Sequence, residues 1–575
     1  MRVARKCAAA LLATATGVAW PRLLRRSRNP YGRGHDCQAT MRACAAALLA
    51  ATVVLSAAGS ALADVRLPAI FGDHMVLQRD VPIAVWGWAD PREKVTVTLH
   101  AMGESKDGKP VPVILGGMSG SGPGDRISAQ AVAGDKGAWS VNLNALKSLN
   151  GMTGLRLKVE GKNTVEFTDV ALGDVWVASG QSNMYWPVKN SANPKAEIAA
   201  ADHPTIRSFN VWKDAAAEPR DDVYGEWTVC SPKTAGEFSA AAYYFARHLN
   251  TRLGVPIGII HSSWAASSAH PWTSREGLAA DPEVKAFAEN VMERTADSLR
   301  TFREEWEPKW AEWEKAAAAA RAEGKPEPRR PAVTFRDNVR AVPSALYNGM
   351  IAPLARYRVK GVIWYQGEND AHRGMFYHKI FAALIRDWRT QWKQPDMPFL
   401  FVQLAGFKAR QPEPGDSQWA ELREAQAATL SVPHTAMACT IDIGEAENIH
   451  PKNKQDVGLR LALGSLHVAY GKDLVYSGPV FKEVKLAGNK ATLTFDHVGG
   501  GLVARGGGPL KGFAVAGPDG KFAWADAWIE GDAVIVTGAD VKEIAAVRYA
   551  WADNPECNLH NAEGLPAVPF RTDGR

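Results

Sequence analysis

The stretch that decides the fold lies between residues 174 and 184 and reads Asp-Val-Trp-Val-Ala-Ser-Gly-Gln-Ser-Asn-Met. Its first half is apolar and predicts a buried strand that ends near Gly180, where polar residues begin. In α/β enzymes, functional side chains lie beyond the carboxyl ends of the strands of a parallel sheet. Ser182 is therefore a candidate nucleophile. The run is not a G-x-S-x-G turn, because Met184 stands at its last position.

Two later segments repeat this arrangement of an apolar strand followed by polar residues. Asn369 follows the strand predicted at residues 361–365, and His450 follows the strand predicted at residues 435–443. Because parallel strands end at the same edge of a sheet, the three side chains are predicted to converge. A hydroxyl, an amide and an imidazole are the groups needed to cleave an ester through an acyl-enzyme.

The segments 171–275 and 339–473 alternate apolar strands with helical patterns. The strands are nearly continuous apolar runs, as in a parallel sheet that is covered on both faces. The helical patterns span residues 238–253, 376–392 and 455–470. This alternation predicts an α/β fold with a doubly wound, flavodoxin-like three-layer core.

Three further regions surround this predicted catalytic core. Residues 64–170 and 474–575 alternate apolar and polar positions between Gly-rich turns, which predicts two accessory β-sandwich regions. Residues 276–338 are charged, rich in Ala and Trp, and helical in spacing, so they predict a helical insertion. Two interpretations of the insertion stay open: a wall of the substrate cleft, or a surface hairpin without a function.

The net charge of +6 comes from the amino terminus. Residues 1–63 hold nine Lys or Arg and one acidic residue, and the rest of the chain is close to neutral. Neither a nucleic acid nor, after cleavage of the leader, a membrane is predicted as a partner. Residues 43–58 form an apolar run, and an Ala-x-Ala cleavage pattern follows at residues 61–63, so residues 1–63 are predicted to be a leader. Its true start is predicted at Met41, with an unusually long leader as the alternative. The protein is thus expected to be exported, to the periplasm or beyond the cell; a retained membrane anchor is the alternative.

Three cysteines remain after that cleavage: Cys230, Cys439 and Cys557. An odd number of scattered cysteines forms neither a disulfide framework nor a zinc cluster. Cys439 lies in an apolar strand and is predicted to be a buried free thiol. No metal or other cofactor is predicted, and the sequence leaves the oligomeric state open.

A general base needs an acceptor that orients its Nδ1–H. Glu447 stands three residues before His450 and can fold back in a turn to supply that acceptor. Asp442 is the second candidate. A Ser–His pair held by a backbone carbonyl is the third arrangement.

The predicted oxyanion hole combines the backbone N–H of Ser182 with the side-chain amide of Asn369. A further backbone donor is expected from Ala265 or Ala266, which follow another apolar strand. The alternative for Asn369 is a structural role as a helix cap.

These blocks, in this order, resemble the SGNH (GDSL-like) hydrolases and, more specifically, the sialate O-acetylesterase family and its bacterial carbohydrate acetylesterase relatives. The resemblance extends over residues 64–575 and implies that Ser182 is the nucleophile and His450 the base. It rests on seven motifs: Phe71–Arg79, Gly180–Met184, Leu346–Met350, Trp364–Glu368, Leu422–Gln426, Ile449–Lys454 and Gly564–Phe570.

Two departures from the family pattern bear on the site. Ala265 and Ala266 stand where the family usually has two glycines after a tryptophan. An alanine keeps its N–H, but it is strained if the family glycine adopts a positive φ. The family also often places an aspartate two or three residues before the histidine, where this chain has Asn448 and Glu447.

Other residues near these blocks have supporting roles or compete for the chemistry. Five are predicted to brace the site or to contact substrate: Gln181, Asn183, Gln366, Glu368 and Trp264. Among the tryptophans, the cleft is expected to include Trp186, Trp264 and Trp272, and the core Trp364 and Trp392. Glu368 and Asp370 suggest a glycosidase pair, but they lie two residues apart on one loop. The spacing of His261 and His270 fits no metal motif.

The sequence thus predicts a secreted serine esterase that removes O-acetyl groups from a carbohydrate, either a sialic acid or a plant hemicellulose-type glycan. The alternative is a carbohydrate-binding protein on the same fold whose esterase site has decayed. The replacement of two glycines at Ala265 and Ala266 motivates that alternative.

Overall fold

The computed structural model of the protein describes residues 64–104, 110–112, 126–145, 147–323, 325–329, 331 and 338–574. The predicted leader and its start at Met41 lie outside the described residues. No described helix is both long enough and apolar enough to cross a membrane.

A mixed sheet lies at the centre of the α/β region. Its strands lie in the order Gly225–Cys230, His203–Val211, Ile257–Ser263, Thr164–Gly180, Gly361–Tyr365, Phe399–Val402 and Thr435–Ala438. All neighbours pair in parallel except the first two, which form an antiparallel edge pair that the sequence did not predict. Without this edge pair, the order of the five remaining strands is second, first, third, fourth and fifth, as in doubly wound sheets.

Helices cover both faces of this sheet. Ala240–Leu253 and Lys454–Val468 belong to one face, and Phe376–Gln391 and Gln418–Ala428 to the other. Ser239 starts the first of these helices by accepting the N–H of Ala242, and Gly254 ends it with a φ of 66°. The three predicted helices are present, with ends displaced by no more than two residues.

One strand, Thr164–Gly180, connects the amino-terminal β region with the central sheet. Its outer half alternates between exposed and half-buried positions, and its inner half is continuously buried. The predicted domain boundary after residue 170 lies inside this strand, and the boundaries stay predictions. The other strands of this region are Val76–Gln78, Ile83–Trp88, Lys94–Glu104, Pro110–Pro112, Arg126–Val132, Ala138–Leu143 and Leu155–Glu160.

The carboxyl-terminal region consists of antiparallel strands, as its alternating sequence predicts. One sheet contains Val480–Ala487, Lys490–Asp496, Ala533–Thr537 and Asp526–Glu530, a second contains Phe522–Trp524, Phe513–Ala516, Ala546–Tyr549 and Phe570–Arg571, and a third pairs Leu502–Ala504 with Leu559–Asn561. Its status as a separate sandwich domain stays a prediction.

The segment predicted as a helical insertion is helical where it is described. Its elements are Arg275–Ala279, Pro282–Arg294, Ala296–Thr301, the π-helix Phe302–Trp306, and Glu307–Ala322. The rings of Trp306, Trp310 and Trp313 are buried and follow one another with centroids 5.0 and 5.1 Å apart. This aromatic row belongs to the main apolar core. The segment therefore packs on the protein through this row, and its role as a wall of the cleft stays a prediction.

The described cysteines are free thiols, and Cys439 is buried as predicted. Trp364 and Trp392, which the sequence assigned to the core, are also buried.

Candidate active site

Ser182 lies directly beyond the carboxyl end of the long strand Thr164–Gly180. Gly180 has a φ of 133°, and a Cβ there would lie 2.2 Å from the carbonyl oxygen of Tyr365. The N–H of Gln181 donates to that same oxygen over 3.0 Å, and a short helix then begins at Ser182. The sheet backbone therefore decides where the hydroxyl of Ser182 lies, and only glycine fits at the turn before it.

His450 lies in hydrogen-bond contact with Ser182. Its Nε2 is 2.8 Å from the Oγ of Ser182. The ring stacks on Trp186, with centroids 4.7 Å apart and planes inclined by 11°. Burial, and to a smaller degree the charge of Lys454, lowers the pKa of His450 below its ordinary value. A neutral imidazole with a free lone pair is the form that can accept a proton from a hydroxyl.

The turn before His450 is held by Asn448. The Nδ2 of Asn448 donates to Glu445 over 2.9 Å and to the carbonyl of His450 over 2.8 Å, and its Oδ1 accepts the N–H of His450. Glu447, the predicted acceptor for Nδ1, is exposed, and its carboxylate has no hydrogen-bond partner among the described residues. Its catalytic role stays a prediction.

Asp442, the second candidate acceptor for the Nδ1–H of His450, is bound by other side chains. Its carboxylate accepts two hydrogen bonds from Arg460, of 2.6 and 2.8 Å, and one of 2.9 Å from Arg505. The ring of His560 lies 3.5 Å away. Hydrogen bonds from His560 and Arg460 hold the pKa of Asp442 well below its usual range, against the effect of burial. Asp442 thus fixes the start of the His450 loop to the carboxyl-terminal region.

Asn369 lies beside the loop that contains the two alanines. Its Nδ2 donates to the Oγ of Ser268 over 2.8 Å, and its backbone N–H donates to the Oε1 of Gln181 over 3.3 Å. Trp264 lies at the same edge of the sheet, since its backbone N–H donates to the carbonyl of Gly180 over 3.1 Å. The structure therefore brings together the strand ends that carry Ser182, Asn369 and the alanine loop.

Ala266 adopts the left-handed conformation, with a φ of 54°. This is the conformation that favours glycine, so the alanine carries backbone strain here. Ala265 is not among the described residues with a positive φ. The strain predicted for the family glycine positions is thus present at one of the two alanines.

Gln366 lies behind the site, where all of its polar atoms are used. Its Nε2 donates to Gln181 over 3.2 Å, to the carbonyl of Ser267 over 3.1 Å and to Asp370 over 2.8 Å. Asp370 is fully buried and also accepts from Arg373 over 2.7 Å. This ion pair gives Asp370 a structural role, which leaves Glu368 without a partner for glycosidase chemistry.

A cavity of about 440 Å³ opens beside Ser182. It is lined by Ser182, Tyr185, Trp186, Pro187, Lys189, Asn190, Asn210, Glu237 and His450. Trp264 and Trp272 are only 3% and 0% exposed, so they belong to the core and not to the cleft surface that the sequence suggested.

His261 and His270 are buried, and burial lowers the pKa of each to about 4. The Nε2 of His261 contacts the Oγ of Ser263 over 2.7 Å, and that of His270 contacts the carbonyl of Ala341. Within the described part of the chain, no group of three or more His, Cys, Asp or Glu side chains is placed to hold a metal ion.

Comparison with known proteins identifies the relatives of this chain. The family model "Carbohydrate esterase, sialic acid-specific acetylesterase" matches residues 334–466. The sialate O-acetylesterase of Mus musculus is 30% identical over 550 residues, which cover 88% of this chain and 94% of that protein. The sialate O-acetylesterase of Rattus norvegicus is 29% identical, with the same coverage.

The chain belongs to the sialate O-acetylesterase family. Among solved structures, a carbohydrate acetylesterase from Xanthomonas citri aligns with a TM-score of 0.71 and 38% identity. The alignment covers 89% of this chain and all of that one. As a member of the sialate O-acetylesterase family, the protein is an esterase, and the resemblance predicted from its motifs is confirmed.

The contacts of two side chains of this sialate O-acetylesterase family member were missed from sequence. Trp186 lies four residues after Ser182 and covers the His450 ring, and Lys454 lies four residues after His450 and is completely buried. Both lie within quoted motifs or next to them. Their contacts, however, join segments that are more than 260 residues apart, and no local pattern reports such a pairing.

Proposed function

We propose that the protein is an exported serine esterase that removes O-acetyl groups from a carbohydrate. The observation that carries this proposal is the 2.8 Å contact between the Oγ of Ser182 and the Nε2 of His450 at the edge of a parallel sheet. The order of the five core strands supports an SGNH-type scaffold for this pair.

In the proposed reaction, His450 takes the proton of Ser182 while the Oγ attacks the acetyl carbonyl carbon. The tetrahedral intermediate collapses when the C–O bond to the sugar breaks, and the imidazolium returns its proton to the leaving sugar oxygen. Water then attacks the acetyl-enzyme with His450 again as the base, and acetate leaves. The lowered pKa of His450 keeps the ring neutral, and thus ready to act, near neutral pH.

The developing oxyanion is assigned to donors at the same edge. The Ser182 N–H lies in the first turn of a helix, where no intrahelical acceptor exists. The Asn369 amide now donates to Ser268 and can turn to the substrate from its exposed position. The N–H groups of Ala265 and Ala266 supply the third donor. One such donor typically contributes about 3 kcal/mol to transition-state stabilisation.

Two arrangements of the base are proposed. Glu447 accepts the Nδ1–H after its exposed side chain rotates back, or the pair works without a carboxylate, held by Asn448 and Trp186. The observed contacts favour the second. Replacing Glu447 by Gln separates them: a fall in kcat of about 10⁴-fold fits a triad acid, whereas less than threefold fits the pair.

The proposed substrate is an acetylated sugar, because the relatives are named as sialate and carbohydrate acetylesterases. A cavity of about 440 Å³ is in the range of small-molecule sites. The choice between sialic acids and hemicellulose-type glycans is tested by acetate release from acetylated sialic acids, xylan, xyloglucan and mannan.

The decisive experiment compares Ser182→Ala with the control Ser477→Ala, a serine of the carboxyl-terminal region. Acetate release and labelling by a serine-directed phosphonate should both disappear in the first variant and persist in the second. Acetate release by a folded Ser182→Ala protein would refute the assignment. Export is tested separately, by sequencing the amino terminus of the mature protein, which is expected to begin at Asp64.

The second candidate function is carbohydrate binding without hydrolysis. The strained Ala266 favours it, because relaxation of that strain would move the N–H groups proposed as the third oxyanion donor. Glycan binding without acetate release and without phosphonate labelling of the unaltered protein would establish this function in place of the esterase.

A further inference from the structure

A buried side-chain bridge lies beneath the Ser182–His450 pair. Its central residue is Asn183, which directly follows Ser182 and is 2% exposed. The Nδ2 of Asn183 donates to the carbonyl of Ile449 over 3.0 Å and to the carboxylate of Glu368. Its Oδ1 accepts the ammonium of Lys454 over 2.6 Å.

Lys454 completes the hold on the histidine. Its Nζ also donates to the carbonyl of Pro451 over 2.8 Å. The carbonyls of Ile449 and Pro451, on either side of His450, are thus both bound by members of the bridge. Because the carbonyls on both sides of His450 are bound, its backbone has little freedom to rotate. The bridge therefore fixes the position of the imidazole.

Glu368 extends the bridge to the third strand end. It directly precedes Asn369, and one carboxylate oxygen accepts the Asn183 amide. The other oxygen, Oε2, is buried and has no hydrogen-bond partner among the described residues. Ser182 and Asn369 are therefore each adjacent in sequence to a member of the same network, and His450 lies between the two carbonyls that the network binds.

We infer that Asn183 and Lys454 are positioning residues that fix the His450 imidazole relative to Ser182 and Asn369 in place of an acidic partner at Nδ1. The inference rests on the proposed serine esterase function. Burying an ammonium is costly unless its donors are used, and the Nζ of Lys454 donates to both Asn183 and Pro451. Here the alternatives at Nδ1 are absent from the observed contacts, since Glu447 is exposed and Asp442 is bound by Arg460 and Arg505.

The bridge has a predictable pH behaviour. Burial lowers the pKa of Lys454 to about 7, against the opposing charges of Glu368 and Glu445. A neutral amine still has two N–H donors, so the geometry survives deprotonation. Below that pH the ammonium is charged, and it disfavours a second positive charge on His450. The charged Lys454 therefore keeps the base neutral to lower pH.

The test compares Lys454→Met with the control Lys452→Met, an exposed lysine of the same loop. In Lys454→Met, kcat should fall about 10- to 100-fold while KM changes less than about threefold, because a small displacement of the base affects chemistry more than binding. The acid limb of the kcat/KM profile should move to higher pH, because the repelling charge is gone. Lys452→Met should show neither change.

Asn183→Asp provides a second variant of nearly unchanged size. It loses both donated hydrogen bonds and adds a negative charge near His450, so kcat should again fall at least about 10-fold and the acid limb should again move to higher pH. All values of kcat are expressed per site labelled by the phosphonate, so that unfolded protein does not count.

A lowered melting temperature with an unchanged kcat per labelled site and an unmoved acid limb in both variants would overturn the inference, since a purely structural role gives that result. The proposed function fails in a different way, through acetate release by Ser182→Ala. If Lys454→Met does not fold, the two readouts of Asn183→Asp decide.

Discussion

The Ser182 turn and the His450 loop meet at one hydrogen bond but are held in different ways. The Ser182 turn is fixed by backbone: a sheet strand leads into it, and Gly180 and Gln181 both lie against the carbonyl of Tyr365. The His450 loop is fixed by side chains, which bind its carbonyls from below and stack on its ring. The position of Ser182 should therefore tolerate side-chain changes around it, whereas the position of His450 should not.

The largest expected effect comes from adding a methyl group at Gly180. The Cβ of Gly180→Ala would lie 2.2 Å from the carbonyl oxygen of Tyr365, at a φ of 133°. Backbone strain and overpacking together predict a loss of about 4 kcal/mol in the free energy of unfolding, measured by urea denaturation. Gly254→Ala is the control, because its φ is 66° but nothing lies near its Cβ; about 1 kcal/mol is expected there. Equal losses in the two variants would mean that close contact does not fix the Ser182 turn.

The next effect tests the far end of the His450 loop. Asp442→Asn leaves the buried Arg460 without its full counter-charge and should cost about 3 kcal/mol of unfolding free energy at pH 7. The folded-state pKa of Asp442 lies below its unfolded value, so its contribution is complete above the unfolded pKa and is lost as the pH falls. The variant and the unaltered protein should therefore converge in stability toward acid pH. A difference that is as large in the most acidic buffer in which both proteins stay folded as it is at pH 7 would contradict this assignment.

A smaller effect tests the stacking of Trp186 on the ring of His450. Trp186→Leu removes the indole that faces the His450 ring, and kcat/KM should fall about five- to tenfold because an aromatic face steadies the ring and favours the imidazolium. Steady-state kinetics with an acetylated sugar measures the change. Trp528→Leu, which alters an exposed tryptophan of the carboxyl-terminal region, should leave kcat/KM unchanged. A similar loss in both variants would show that the stacking contact has no specific role.

The smallest effect is a gain of stability. Ala266→Gly relieves a residue with a φ of 54° and should raise the free energy of unfolding by about 1 kcal/mol, visible as a higher melting temperature. Ala265→Gly should not stabilise the protein, because it relieves no backbone strain and only adds conformational entropy to the unfolded chain. If Ala265→Gly stabilised the protein equally, strain at Ala266 would not be the cause.

The sequence predicted the fold core and the two central site residues because both depend on local patterns. Buried strands are visible as apolar runs, and their carboxyl ends place Ser182, Asn369 and His450 at one edge. The surroundings of His450 were harder to predict. Glu447 is close in sequence, yet its side chain is exposed, whereas Lys454 bonds a residue 271 positions away. Sequence proximity suggests partners but does not determine which way a side chain turns.

The strand Thr164–Gly180 was divided between two predicted regions because its pattern changes midway. Its first half alternates, like an exposed sheet, and its second half is apolar, like a covered one. Each half was assigned by its own periodicity. The edge pair His203–Val211 and Gly225–Cys230 was missed for a related reason, since mixed burial at an edge gives a weak signal.

That 17-residue strand joins the amino-terminal β region and the turn that carries Ser182, the proposed nucleophile, in one continuous length of backbone. A protease that nicked the strand midway is therefore expected to reduce any activity that depends on Ser182 without touching the residues that line the cleft.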